Sequence, residues 1–270
     1  MSRRPLEAGE RVLLVDSKGR QYLVTLTETG RFHSHAGIVE HTQLLGQDEG
    51  VTVRAGTGAR YTAVRPTLAD FVLRMPREAQ VIYPKDLGAI LLLADVAPGT
   101  RVLEAGVGSG ALSLALLRAG AEVVGYELRP DFAARAVANV SDFLGDEAAG
   151  RYRVEQHDVY GGIDEVDLDR IVLDLPEPWQ VVKHAEGALR PGGILVAYTP
   201  SILQAAQLRE ALAASDFELA QTVEHLTRGW YLEGQAVRPD HRMVAHTGFL
   251  TSARLLGPVP GGLKAPRLPS

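Results

Sequence analysis

Residues 101–118 constrain the fold more than any other part of the chain. An apolar run closed by a carboxylate, Arg101-Val-Leu-Glu104, breaks into Ala-Gly106-Val-Gly108-Ser109-Gly110 and resumes as the apolar stretch 111–118. Glycines at alternate positions let the backbone turn sharply and approach a neighbour closely. A strand, a tight glycine loop and a helix in that order form the first half of a βαβ unit.

The pattern then repeats. Glu122-Val-Val-Gly-Tyr-Glu127 predicts a second strand and residues 131–143 a second helix. Further strands are expected over 152–156, 170–174, 194–198, 217–223 and 243–252, with helices over 179–189 and 201–214. Just upstream, residues 86–94 predict an apolar helix with Asp86 as its N-cap. Strands alternating with helices imply an α/β fold, a mainly parallel sheet covered on both faces. Residues 1–65 read differently. Arg11-Val-Leu-Leu-Val15 and Gln21-Tyr-Leu-Val-Thr-Leu26 flank Asp16-Ser-Lys-Gly-Arg20 as a hairpin, and short strands are expected at 37–39, 50–53 and 61–65. The expected division is a small β domain over 1–65, a connector with one short helix leading into a catalytic domain over 66–256, and a loose Pro/Gly-rich tail over 257–270.

Composition excludes several classes of function. With no cysteine, there are no disulfides, thiolate metal sites or cysteine nucleophiles. No apolar run reaches the roughly 20 residues that span a bilayer. Met1-Ser-Arg-Arg-Pro5 is not followed by the apolar stretch of a signal peptide, so a cytoplasmic protein is expected. The net charge of −5 is unevenly spread: residues 1–85 hold 12 Lys/Arg against 9 Asp/Glu, and residues 86–270 hold 16 against 24. A mildly basic N-terminal part on an acidic body could offer a phosphate-binding face, through residues such as Arg11, Arg20 and Arg31, or could be ordinary scatter of charge.

The chemistry gathers at strand ends. The spacing around Gly106, Gly108 and Gly110 is G-x-G-x-G, whereas the dinucleotide fingerprint is G-x-G-x-x-G. With Glu104 two places ahead of the first glycine, the loop suits S-adenosylmethionine, which carries a cationic amino-acid end and no pyrophosphate. Read alone, the same loop would serve as a plain tight turn. Glu127, at the end of the neighbouring strand, is placed to accept both ribose hydroxyls, a device shared with NAD enzymes; a surface charge at a strand end is the competing reading. Asp158 follows the third strand and could take the adenine amino group, with Val159 beside the ring, or could be an ordinary loop aspartate. Asp174 ends the apolar run Ile171-Val-Leu173 and opens Leu175-Pro-Glu-Pro-Trp179 at the carboxyl edge of the sheet, where open α/β sheets bind ligands. It could equally cap a helix that begins with proline. That loop resembles the (Asp/Asn/Ser)-Pro-Pro-aromatic loop of methyltransferases acting on amino or ring nitrogens, with Leu175 inserted before the first proline. His33, Ser34, His35 and His41 lack a third ligand at a clear spacing, so no metal site is expected. Ser109 is not a nucleophile elbow, because Val107 stands where G-x-S-x-G needs glycine.

Together these pieces resemble the bacterial and archaeal tRNA adenine N1-methyltransferases that modify adenine 58 of the T loop. The resemblance rests on Gln80-Val-Ile-Tyr-Pro-Lys-Asp86, on Val102-Leu-Glu-Ala-Gly-Val-Gly-Ser-Gly-Ala111 and on Asp174-Leu-Pro-Glu-Pro-Trp179, with support from Arg228-Gly-Trp230, Arg238-Pro-Asp-His241 and His246-Thr247. It covers nearly the whole chain. It implies a class I S-adenosylmethionine-dependent methyltransferase, Rossmann-like with a mostly parallel seven-stranded sheet and a small N-terminal β domain that binds tRNA or supports assembly. A homotetramer is implied as well. The implied cofactor contacts are Gln80, Glu104, Gly106, Gly108, Ser109, Gly110, Ala111, Leu112, Glu127, Asp158, Val159 and Asp174. Asp174 would be the catalytic residue, Tyr83 and Tyr198 the aromatic side chains at the target base. Some archaeal relatives also modify adenine 57.

Three other readings compete. A methyltransferase for a small molecule or a protein would have no use for a β module over 1–65. An NAD-dependent oxidoreductase is disfavoured by the G-x-G-x-G spacing and the proline-rich Asp174 loop. A non-catalytic tRNA-binding subunit is disfavoured by retention of Glu104, the glycines, Glu127 and Asp174.

Overall fold

The computed structural model describes residues 4–78 and 80–256. It divides into two compact units, and the division falls between Met75 and Pro76. The expected boundary at residue 65 lies inside the first unit, which also takes in the helix α1 (Leu68–Arg74). Thr67 starts that helix through a capping box with Asp70, a local signal that fixes its N-terminus. The expected tail over 257–270 lies outside the described residues.

In the first unit, β1 (Arg11–Asp16), β2 (Gln21–Thr25), β3 (Arg31–Ser34), β4 (Gly37–Glu40), β5 (Thr52–Arg54) and β6 (Arg60–Val64) form an antiparallel sheet in the order β2-β1-β6-β5 and a separate β3-β4 hairpin. The β1-β2 hairpin is closed by its own turn: Asp16 Oδ1 accepts the backbone N–H groups of Lys18 (2.9 Å) and Arg20 (3.0 Å). Leu14, Leu26, Val39, Tyr61 and Ala63 fill the core. Strand β3 was not among the expected strands; its Phe32 packs 5.5 Å from the Tyr61 ring.

The second unit holds α2 (Pro84–Leu93), β7 (Arg101–Ala105), α3 (Ala111–Arg118), β8 (Glu122–Tyr126), α4 (Pro130–Leu144), α5 (Asp146–Ala149), β9 (Tyr152–Glu155), β10 (Leu168–Asp174), α6 (Val182–Ala188), β11 (Leu189–Thr199), α7 (Ile202–Ala213), β12 (Phe217–Glu224), β13 (Trp230–Glu233), β14 (Ala236–Pro239) and β15 (Phe249–Leu255). Its seven-stranded sheet runs β12-β15-β11-β10-β7-β8-β9. Pairings from β11 through β9 are parallel, and β15 alone runs against its neighbours β11 and β12. From β7 the chain steps outward to β8 and β9; from β10 it steps the other way to β11. The order therefore reverses between β7 and β10, and a crevice opens above their carboxyl ends. Leu103, Ile171, Leu173, Leu195 and Ala197 fill the core along the central strands. Among the described residues, no helix is long and apolar enough to cross a membrane.

Three local expectations are corrected. The helix containing Asp86 begins at Pro84, with Tyr83 as N-cap, so Asp86 lies within its first turn and is fully buried. Proline at the first helical position is pre-set for a helix and has no N–H to leave unpaired. The last strand starts at Phe249, not at residue 243: Val244 pairs with Thr227 instead, and His246 and Thr247 are held by the hydrogen bonds described below. Between β12 and β15 the chain forms the unexpected hairpin β13-β14, turning at Gly234 with φ +55°.

Candidate active site

The glycine loop follows β7, and its first glycine is set by contact. Gly106 has φ +85°, and a Cβ there would sit 2.1 Å from the backbone carbonyl oxygen of Asp174. Only glycine lets the ends of β7 and β10 approach so closely. Gly110, at φ +86°, opens α3. The loop is held from beneath by Asn139, the single asparagine of the chain, whose amide donates to the carbonyls of Ser109 (2.9 Å) and Pro76 (3.0 Å).

Around this loop stand three carboxylates. Glu104 is fully buried. Its Oε2 accepts the Ser113 hydroxyl at 2.6 Å, and Ser113 Oγ lies 2.8 Å from the Tyr152 hydroxyl. Glu104 Oε1 and Ser109 Oγ are buried without hydrogen-bond partners among the described residues. Burial pushes the Glu104 carboxyl up to about 8; the Ser113 hydrogen bond opposes the shift, and the charges of Asp174 and Glu127 add to it. Glu127 accepts the Gly108 N–H at 2.9 Å and the Arg129 N–H at 3.0 Å, one on each oxygen. Asp174 receives no hydrogen bond from any described residue, and burial raises its carboxyl to about 7.

Three cavities lie along the carboxyl edge of the sheet. A narrow cleft of 20 Å³ is bounded by Gln80, Glu104, Gly106, Gly108, Ser109 and Asp174, with Ala111 and Leu112 behind. A cavity of 180 Å³ lies beside it, against Tyr126, Glu127, Asp158, Val159 and Pro176. Asp158 Oδ1 accepts the Tyr160 N–H at 3.0 Å, leaving Oδ2 open. The third, of 460 Å³, is bounded by Gln80, Tyr83, Tyr198 and residues 243–247. Gln80 borders both the first and the third. A cavity of 520 Å³ among Arg101, Glu122, Arg151 and Glu165 lies at the opposite edge, away from all these residues. Of the site residues named from the sequence, all but Gly110, which caps α3 behind the loop, border one of these three adjoining spaces.

The contacts among the polar groups beside the third cavity were not expected from the sequence. Asp86 accepts Lys85 Nζ at 2.8 Å and the Thr247 hydroxyl at 2.6 Å, and Lys85 also donates to the His225 carbonyl at 2.7 Å. The Tyr198 hydroxyl donates to the Thr247 carbonyl, and its ring lies against Gly248. His246 places Nδ1 2.7 Å from Glu224 and Nε2 2.9 Å from the Pro200 carbonyl. The motifs Tyr-Pro-Lys-Asp86 and His246-Thr247 were visible, but partners 161 residues apart in sequence are not. Elsewhere, His41 accepts the Thr27 N–H on its Nδ1.

A doubly wound sheet with this order, a glycine loop and carboxylates at its reversal point, defines a class I S-adenosylmethionine-dependent methyltransferase. A solved SAM-dependent O-methyltransferase of Thermotoga maritima superposes with a TM-score of 0.89 at 31% identity, covering 94% of this chain and 96% of that one. The tRNA (m1A58) methyltransferase TrmI of Aquifex aeolicus gives 0.82 at 26%, covering 97% and 100%. The family profile described as the tRNA methyltransferase complex GCD14 subunit matches residues 61–238, and a TrmI-like N-terminal profile matches residues 5–53. The tRNA (adenine(58)-N(1))-methyltransferase TrmI of Thermus thermophilus is 42% identical over 251 residues, 90% of this chain and 96% of that protein. The chain belongs to the tRNA (adenine-58-N1)-methyltransferase family.

Two outcomes follow from the site. Gly106→Ala should cost about 1–3 kcal/mol in backbone strain alone and more from the clash with Asp174, read as a lowered denaturation midpoint. The raised carboxyls of Glu104 and Asp174 favour the neutral forms in the folded protein, so ionising them works against folding. The ligand-free protein should lose stability as pH rises from about 5 to 8, and Glu104→Gln should flatten that slope; a slope unchanged by the substitution would contradict the assignment.

Proposed function

We propose that this chain transfers the methyl group of S-adenosylmethionine to N1 of adenine 58 in the T loop of tRNA. The observation that carries the reading is the placement of Asp174: its carboxyl, which receives no hydrogen bond from any described residue, borders the glycine-loop cleft, and that cleft shares Gln80 with the larger cavity that Tyr198 bounds.

The cofactor fits the residues present. The buried, unpartnered Glu104 Oε1 and Ser109 Oγ are polar atoms that a ligand carrying an ammonium and a carboxylate would satisfy. Each Glu127 oxygen spends one lone pair on a backbone N–H and keeps another for a ribose hydroxyl. Asp158 Oδ2 and Val159 frame the cavity that would take the adenine ring, while Gln80, Ala111 and Leu112 close the cleft at the methionine end.

When bound, S-adenosylmethionine supplies a methyl group activated on a sulfonium. The N1 lone pair of a neutral adenine lies in the ring plane, so no base has to remove a proton before attack. The protein's work is placement and electrostatics. Tyr83 and Tyr198 border the space for the extruded base, and stacking on such rings is worth on the order of 1–3 kcal/mol, against a few kcal/mol for extrusion. Asp174 accepts a hydrogen bond from the exocyclic amino group and stabilises the positive charge that grows on the ring. The role needs the ionised carboxylate.

The first unit is the proposed tRNA-binding module, with different cations from those expected. Arg20 is paired with Asp16 (2.7 Å) and Arg31 with Glu40 (3.0 Å). Arg54 and Arg60 face each other across β5 and β6 and have no ion-pair partner among the described residues. Like charges directly opposed on a sheet cost stability unless an anion lies between them. A homotetramer, the assembly implied by the resemblance, is supported by the exposed apolar hairpin side chains Trp230, Leu232 and Val237. Action on tRNA agrees with the cytoplasmic location expected from the sequence.

The deciding experiment is transfer of labelled methyl to an unmodified tRNA transcript beside one with adenine 58 changed to uridine. Label on the first alone is expected. Equal labelling of both would move the target, with adenine 57 next; no label on either, with cofactor still bound, would return the small-molecule reading. Asp174→Ala should lower kcat about 100-fold or more while leaving cofactor affinity within about threefold. Wild-type activity should fall as pH drops below about 7, where Asp174 gains its proton. Replacing Arg54 and Arg60 together with Gln should weaken tRNA binding and lower the salt slope by about 2; an unchanged slope would remove them from the interface.

A further inference from the structure

Glu104 is held from one side only. Its Oε2 takes the Ser113 hydroxyl, and a serine hydroxyl has a single proton to give. The 2.8 Å contact between Ser113 and Tyr152 must then run from the tyrosine: Tyr152 donates to Ser113, and Ser113 donates to Glu104. The two hydroxyls come from different elements, α3 and the first residue of β9. The relay fixes which oxygen is used inside the protein and leaves Oε1, buried and unpartnered, at the cleft.

We propose that Ser113 and Tyr152 are positioning residues that aim Glu104 Oε1 at the cofactor's ammonium group and make cofactor binding release a proton from that oxygen. The inference rests on the cofactor assignment above. Because Oε2 is engaged as an acceptor, a protonated Glu104 carries its proton on Oε1. An oxygen that holds a proton is a poor acceptor and carries no charge to match an ammonium, so binding sends that proton to solvent and the carboxylate takes an N–H of the ligand in its place. The charged groups facing Glu104 are Asp174 from β10 and Glu127 beyond β8, and both disfavour a second negative charge beside them. Burial acts in the same direction, and Ser113 opposes it. The free protein therefore holds Glu104 largely protonated at neutral pH, and the ligand's positive charge reverses that preference. The relay also loads Tyr152, whose own ionisation is driven well above its ordinary range by burial and by the Glu104 charge, so it remains a donor throughout.

Two nucleosides separate this from a general effect on the site: S-adenosylhomocysteine, which keeps the amino-acid end, and 5′-methylthioadenosine, which lacks it. Calorimetric titration in buffers of different ionisation enthalpy reads both affinity and protons released. For the wild type, S-adenosylhomocysteine should release close to one proton near pH 6.5, and its affinity should climb about tenfold per pH unit before levelling near pH 8. 5′-Methylthioadenosine should bind with little pH dependence. Ser113→Ala should weaken S-adenosylhomocysteine about tenfold at pH 7 and move the levelling point to higher pH. Tyr152→Phe should do the same by about threefold, and neither should change 5′-methylthioadenosine. Glu104→Gln should abolish the proton release. Release that survives Glu104→Gln belongs to Asp174 and overturns the proposal. So do Ser113 and Tyr152 variants that behave as the wild type, or that weaken both nucleosides alike. Wild-type protein that binds neither nucleoside overturns the cofactor assignment itself.

Discussion

The reversal of strand order between β7 and β10 is the constraint on which the rest of the molecule depends. Connections leave these two strands in opposite directions, so nothing crosses above their carboxyl ends. The site exists because that gap is kept narrow: the bare backbone of Gly106 meets the carbonyl of Asp174, and the same contact sets Glu104 and Asp174 on either side of the glycine loop. A side chain at Gly106 would part the strands and widen the gap between the two carboxylates.

Much of this was legible in the sequence, for reasons that can be named. The alternation of apolar runs and glycine turns announces a parallel sheet because buried parallel strands must be apolar on both faces. Glu104, Glu127 and Asp174 stood out because each ends such a run, where a carboxylate would otherwise be out of place, and Asp158 because it follows the next strand along. What stayed hidden depends on contacts distant along the chain. Asp86 read as a helix cap because a carboxylate before an apolar run commonly is one; its burial is intelligible only once Lys85, Thr247 and the His225 carbonyl are seen around it. Residues 243–248 read as strand because Met243-Val-Ala are apolar, yet their polar neighbours anchor the segment to Glu224, Pro200 and Asp86. The Ser113 and Tyr152 hydroxyls look like unremarkable helix and strand residues until they line up behind Glu104.

The helix α2 shows how the fold transmits this order. Arg170, buried within β10, directs its guanidinium to the Ala94 and Asp95 carbonyls at the C-terminal end of α2, where a cation suits the helix dipole. At the other end, the Lys85–Asp86 pair ties the first turn to Thr247. Tyr83, the residue that caps the helix, is thus fixed at the rim of the large cavity by a rod anchored at both ends. A buried pair of this kind contributes little net stability but strongly penalises any arrangement that separates its members.

Asn139 carries a consequence of another sort. Among the described residues its amide is the only side-chain donor on the Ser109 and Pro76 carbonyls, and it belongs to the one asparagine in the chain. Slow hydrolysis of that amide, the common route by which proteins age chemically, would turn a donor into an acid set against two carbonyl oxygens and push the glycine loop away. The succinimide that starts such hydrolysis needs the following backbone nitrogen to swing onto the side chain, and within the helix α4 that nitrogen is held in place. The molecule has concentrated its exposure to this lesion in one residue and shielded that residue by burial and by helix geometry.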